Sequence, residues 1–248
     1  MLQRRLREDL TPSEQLQSKL HVDANDAALF EEFLGDLDVV HAATDQVFRD
    51  CGLHETPLVP FRMEPAWNRE GDVQYIEKLD VLLLPFSFED TCEVMWESMR
   101  HVYRQQDRRH YNGAVDGENT VAVKLRLRPP TETGELAEMT VLFVIRRYVE
   151  PGRMVIVWRA LSEGEGKFFG MHCDETGWSV VCPSGNAGDE MMPTVMQTLV
   201  RFRPLNVRVT SADHVDGYHF TKLVVTSAEE DASEIARMMD ALLLEVSS

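Results

Sequence analysis

After about residue 108 the hydrophobic period of this chain changes from 3.6 to 2, and it stays there until close to the C-terminus. Upstream of the change, Phe88, Cys92, Met95, Trp96, Met99 and Val102 recur on one helical face, and Ser87 with Asp90 forms a capping box. An amphipathic helix is expected there, running to about Arg108. Downstream, in "TVAVKLRLRPP", Val121, Val123, Leu125 and Leu127 share one face while Ala122, Lys124, Arg126 and Arg128 share the other. A strand with one dry and one wet side belongs to an antiparallel sheet. "MTVLFVIRRYVEPGRMVIVWRAL" predicts two strands joined at Glu150-Pro151-Gly152-Arg153, where Pro followed by Gly signals a type II turn. A strand pair is expected over 167–182, a strand over 194–204 and a last one over 217–227. The chain then closes with a helix over 228–246, capped by Ser227 and Glu230. Ile235, Met238, Met239, Leu242, Leu243 and Val246 form its apolar stripe.

The first part of the chain is helical in pattern. Thr11 with Glu14, and Pro12 between them, predicts a short helix within 11–20. A stronger helix is expected from Asp26 to Cys51, with Leu29, Phe30, Phe33, Leu34, Leu37, Val40, Val47 and Phe48 on its apolar face and Gly52 ending it. Pro57, Pro60, Pro65 and Gly71 mark 54–72 as a connection, and 73–86 reads as one or two strands. Helix, strand, helix, several strands and a terminal helix lack the alternation of a doubly wound parallel sheet. The packing solution is an α+β helix-grip: a curved antiparallel β-sheet wrapped around the long C-terminal helix, with an N-terminal helical extension. The expected division is 1–55 for the extension and 56–248 for the helix-grip domain. A sheet wide enough to wrap a helix can enclose a cavity beside it.

This pattern resembles the START-like, Bet v 1-like superfamily, and more closely a group of oomycete proteins with a START-like domain, often labelled "mating-specific". The residues that carry the resemblance are "LLLPFSFEDT" (82–91), "NTVAVKLRLRPP" (119–130), "RRYVEPGRMVIVWRALSEGEGKFFGMHCDETGWSVVCPS" (146–184) and "TVMQTLVRFRPL" (194–205). The likeness to START domains at large rests on Gly177, Trp178 and Pro183 and on the terminal helix. It implies a domain that holds a ligand or regulates, without chemistry of its own.

The remaining motifs are tested against that expectation. His172, Cys173, Asp174 and Glu175 stand in a row, but on a strand neighbours point to opposite faces. His172 and Asp174 then share one face and Cys173 and Glu175 the other, and no second His/Cys pair has zinc-site spacing. The expectation is no metal, no cofactor and no enzyme, with this stretch a solvated strand end entering a turn. Neither Cys173 nor Cys182 has a base and oxyanion site in view. The "SEGEGK" loop (162–167) lacks the phosphate-loop pattern and reads as a hairpin tip. His101 with His110, and His214 with His219, lack the spacing of a helical metal pair. Met191-Met192 and Met238-Met239 could line a soft tunnel or simply fill a core.

A balance of 25 basic against 42 acidic residues gives a net charge of −17, which disfavours nucleic acid. Arg4, Arg5 and Arg7 form the one basic cluster. Arg146, Arg147, Arg159, Arg201 and Arg203 alternate with apolar residues, and pairing with the many acids is expected for most of them. No apolar run approaches membrane-spanning length, and the four cysteines lack paired spacing, so a cytoplasmic or nuclear setting is expected. The expected function is binding of a lipid or other apolar small molecule in a tunnel of at least ~300 Å³ under the C-terminal helix. The expected lining is Val123, Leu125, Phe143, Ile145, Val157, Arg159, Trp178, Gln197, Leu199, Met239 and Leu243. The alternative is a regulatory interaction module with a filled cavity, docking a protein partner or a second copy through helix 26–51.

Overall fold

A computed structural model of the chain describes residues 20–53, 59–101, 107–113, 116–131, 133–185, 193–205 and 211–246. The short helix expected within 11–20, the basic cluster at 4–7, Pro57, Met191-Met192 and the side chain of His214 lie outside the described residues.

Among the described residues nine strands form one antiparallel sheet: β1 (Phe61–Arg62), β2 (Ala66–Glu70), β3 (Val73–Leu84), β4 (Arg108–His110), β5 (Thr120–Leu127), β6 (Met139–Glu150), β7 (Arg153–Gly164), β8 (His172–Pro183) and β9 (Thr194–Leu205). Their order is β1-β3-β9-β8-β7-β6-β5-β4, with β2 paired to β3. Gly152 adopts φ +79°, the left-handed conformation that a type II turn requires after Pro151. The four described helices are α1 (Ala24–Ala42), α2 (Thr44–Asp50), α3 (Phe88–His101) and α4 (Ser211–Val246). The architecture is the helix-grip arrangement: α4, with α3 beside it, lies across the concave face of the sheet.

Four local expectations are corrected. The segment 217–227 is not a strand but part of α4, which spans 36 residues. Its Val and Thr content suggests a strand, but Phe220, Val224 and Ser227 recur at helical spacing and are buried under the sheet. Thr221 also returns its hydroxyl to the Gly217 carbonyl at 2.8 Å, a helical i−4 bond. Ser227, expected to cap the helix, is instead buried within it. The expected strand pair at 167–182 is a single strand, β8, preceded by a short 3-10 turn at Gly166–Phe168. The expected helix 26–51 breaks at Ala43, where the Thr44 hydroxyl donates to the His41 carbonyl at 2.6 Å.

Both faces of the central strands are covered. On the concave side Trp96, Val123, Ile145, Ile156, Phe202, Phe220 and Leu243 belong to one core. On the convex side α1 and α2 press Phe30, Phe33, Leu37, Val47 and Phe48 onto Leu142, Val144, Val155, Val157, Val180 and Leu199. Asp23 caps α1 by accepting from the backbone N–H groups of Asn25 and Asp26 at 2.8 and 3.0 Å. Asp26 completes the box from the Asp23 N–H and also meets Lys124 of β5 at 2.6 Å, so the helix start is tied to the sheet. Trp178 Nε1 donates to the Val40 carbonyl at 2.9 Å, tying β8 to α1.

The apolar stripe of helix 26–51 is therefore packed within the chain. Phe30 and Leu37 have no exposed surface, and Val39, on the solvent side, is 70% exposed. The motive for docking a partner through that stripe falls away.

Candidate functional site

A cavity of about 370 Å³ lies between the concave face and α4. The inward positions of each strand build its wall in steps of two: Lys78, Asp80 and Leu82 from β3; Leu125 and Leu127 from β5; Met139, Val141, Phe143 and Ile145 from β6; Trp158, Ala160 and Ser162 from β7; Glu175 and Ser179 from β8; and Met196, Thr198 and Val200 from β9. The helix α4 closes it with Val224, Ala228, Ile235 and Met239, a stripe spaced at whole turns, and α3 adds Met95 and Met99. The exposed residues Arg62, Met63 and Glu64, facing Ala232 and Ser233 of α4, line the end that reaches the surface.

Four of the residues expected to line the tunnel are on this wall: Leu125, Phe143, Ile145 and Met239. Val123 and Leu243 belong to the same concave core but do not reach the cavity. Val157, Arg159, Trp178, Gln197 and Leu199 are corrected: they point to the convex face, one residue out of register with the wall. Arg159 is bound there by Asp36 and Asp174, both at 2.7 Å, and its guanidinium lies 4.9 Å from the centre of the Phe33 ring. Gln197 is buried, and its amide nitrogen has no hydrogen-bond partner among the described residues. The cause is that β7, β8 and β9 bury both faces, so period-2 patterning shows two dry sides and does not say which is inner.

Three of the arginines that alternate along these strands, Arg146, Arg159 and Arg201, pair with acids on the convex side. Arg146 meets Asp38 at 3.0 Å and Arg201 meets Glu77 at 2.8 Å. Arg147 differs: it lies 5.2 Å from the Trp96 ring centre and donates to Asn119 at 2.8 Å.

Alternation does divide His172-Cys173-Asp174-Glu175 as expected: Asp174 reaches outward to Arg159, while Cys173 is in the concave core and Glu175 lines the cavity. The stretch is the start of β8, as a strand end, but the strand is a central one, bonded on both sides by β7 and β9, and Cys173 is fully buried. Among the described residues no group of three or more His, Cys, Asp or Glu is placed to hold a metal ion.

Glu175 was missed by sequence reasoning. One of its carboxylate oxygens accepts from Trp158 Nε1 at 2.6 Å. Burial pushes its acid up to about 7, with Asp231 and Asp174 raising it and the Trp158 bond opposing. Gly177 explains the indole's place: a Cβ there would fall 2.0 Å from the Trp158 ring, so the ring lies on a bare backbone between Glu175 and Ser179. The available signal was the run of small and polar residues at every second position, Cys173, Glu175, Gly177 and Ser179, which cannot fill a core. At the open end Lys78 joins β3 to the helix, 2.9 Å from Glu229 and 3.7 Å from Asp80. Burial raises the Asp80 acid, with Lys78 opposing.

The four cysteines are free thiols. Burial lifts Cys92 to about 12 and Cys173 well above the ordinary thiol range, and it also raises Cys51 and Cys182. A protonated thiol is a poor nucleophile. Maleimide should therefore label the native protein far more slowly at neutral pH than the denatured chain, Cys173 slowest of all. Rapid labelling of Cys173 in the native state would contradict this placement.

No family model and no curated protein matches the sequence. Among solved structures, human STARD10 is similar over 81% of this chain and 80% of its own, at 13% identity and TM-score 0.43. The lipid transfer and protein localization domain of human StarD13 is similar over 81% and 96%, at 12% identity and TM-score 0.39. The di-domain ARO/CYC StfQ from the steffimycin biosynthetic pathway is similar over 70% of this chain, at 10% identity and TM-score 0.40. The match spans 52% of StfQ, about half its length. No helix among the described residues is long and apolar enough to cross a membrane.

Proposed function

We propose that this chain is a START-like protein that binds an apolar small molecule, of lipid type, in the cavity between the sheet and α4 and releases it chemically unchanged. The resemblance of 146–184 to the oomycete START-like group belongs to the same reading. The observation that supports it is the cavity itself: about 370 Å³, walled by Leu, Met, Val, Phe and Ile from four strands and two helices. Wall contacts on this scale remove a compact apolar ligand from water, which is the main driving force for its binding. Six strands meeting α4 across one space would otherwise collapse onto it, as well-packed cores do.

Native mass spectrometry of the purified protein tests this reading. The expected result is a co-purified mass that organic extraction removes. Ala160 is 1% exposed and faces the cavity, so Ala160→Phe should obstruct the space and lower retention of that mass at least about ten-fold, the change that about 1.4 kcal/mol of lost binding gives. An unchanged load in a folded Ala160→Phe protein would sink the assignment of this space as the binding site.

A further inference from the structure

The polar groups on the cavity wall carry a sign. From β3 come Lys78 and Asp80, from β8 Glu175, from α4 Glu229 and Asp231, and at the mouth Arg62 and Glu64. The acids outnumber the bases, and Lys78 is already held by Glu229 and Asp80. Ser162, Ser179 and Thr198 face the cavity beside Glu175 and bring no charge, and Ser179 and Thr198 share a hydrogen bond of 2.8 Å. Among the described residues, the charged neighbours that act on Glu175 are Asp231 and Asp174, both acids. The arrangement repels carboxylate and phosphate head groups and leaves a buried acid whose charge no described residue balances.

Resting on the cavity-binding reading above, we infer that Glu175, held by Trp158 over Gly177, is the polar anchor of the cavity, and that the ligand it fits is an apolar molecule ending in an ammonium group. The ligand cation supplies the counter-charge that the wall lacks. Trp158 fixes one oxygen, so the carboxylate presents a set orientation to the incoming N–H donors. The indole that holds it also lines the cavity, and a cation near an aromatic ring gains further attraction. Where the ammonium pairs with Glu175, a proton leaves the acid to solvent, because the pair is ionic on both sides.

The test uses the full-length, delipidated protein and a matched series of probes: decylamine, decanol and decanoate. At about pH 8 decylamine should bind at least about ten-fold more tightly than decanoate, since about 1.4 kcal/mol of charge pairing gives that ratio. In Glu175→Gln that preference should vanish while decanol binding stays. In the wild-type protein the decylamine affinity should rise about ten-fold from about pH 6 to about pH 8, as the Glu175 acid ionises, with decanol flat across the range. The pH arm needs no variant and so does not depend on whether one folds. Equal binding of the three probes would overturn the anchor while leaving the cavity reading intact, as would an amine preference that survives Glu175→Gln. Failure of all three to bind would overturn both.

Discussion

Glu175→Gln is expected to stabilise the ligand-free protein by about 3 kcal/mol at pH 8 and by less than about 1 kcal/mol at about pH 5. The acid rises from 4.5 to about 7 on folding, chiefly through burial. The folded state then holds the Glu175 proton more firmly than the unfolded chain does. Stability from this group is complete below about pH 4.5 and declines as pH rises, until the side chain is ionised in both states above about pH 7. There a buried charge with no cationic partner among the described residues opposes folding. Glutamine keeps an acceptor for Trp158 Nε1 and carries no charge, so it behaves as the protonated acid does at every pH. Thermal melting of both proteins at the two pH values decides the matter. An equal gap between the two melting temperatures at both pH values, or a less stable variant at the higher pH, would show that Glu175 is charge-balanced in the folded chain.

Removal of residues 1–55 is expected to abolish the folded monomer. The extension covers the convex side of β6, β7, β8 and β9, where Leu142, Val144, Val155, Val157 and Leu199 are fully buried. Without α1 and α2 these side chains would form one contiguous apolar patch, beyond what a soluble monomer exposes. Arg159 would lose Asp36 and the Phe33 ring, and Trp178 would lose the Val40 carbonyl. Losing two large packed rings alone, Phe30 and Phe33, corresponds to several kcal/mol, comparable with the whole stability of a domain. Expression of 56–248 with size-exclusion chromatography should therefore yield aggregate or no protein. A cooperative, monomeric 56–248 would show residue 55 to be a true domain limit.

Much of the fold was legible because its elements carry their own periods. The turn at Pro151-Gly152, the capping box at Ser87 and Asp90, and the alternation in β5 each follow from a local rule, and each lies where the sequence places it. The failures have two causes. In 217–227 branched residues favour a strand, yet burial of Phe220 and Val224 under the sheet decides for helix, and that contact is remote in sequence. On β7, β8 and β9 the sidedness of the alternation was lost because α1 makes the convex face as dry as the concave one. Val157 and Ile156 are equally hydrophobic, equally buried and one residue apart, and only the position of α4 says which is inner. Glu175 went unrecognised for the opposite reason: beside His172, Cys173 and Asp174 it looked like part of a polar surface run, although its strand partner is Ala160, deep in the sheet.

The partition between the two cores is one sheet thick, with no second layer to separate them. Each strand within it is consequently written in two interleaved scripts. Along β7, Trp158, Ala160 and Ser162 shape the chamber, while Val155, Val157 and Arg159 shape the clasp that holds α1. A drifting sequence can thus alter what the chamber admits by changing every second letter, while the letters between them keep the molecule assembled.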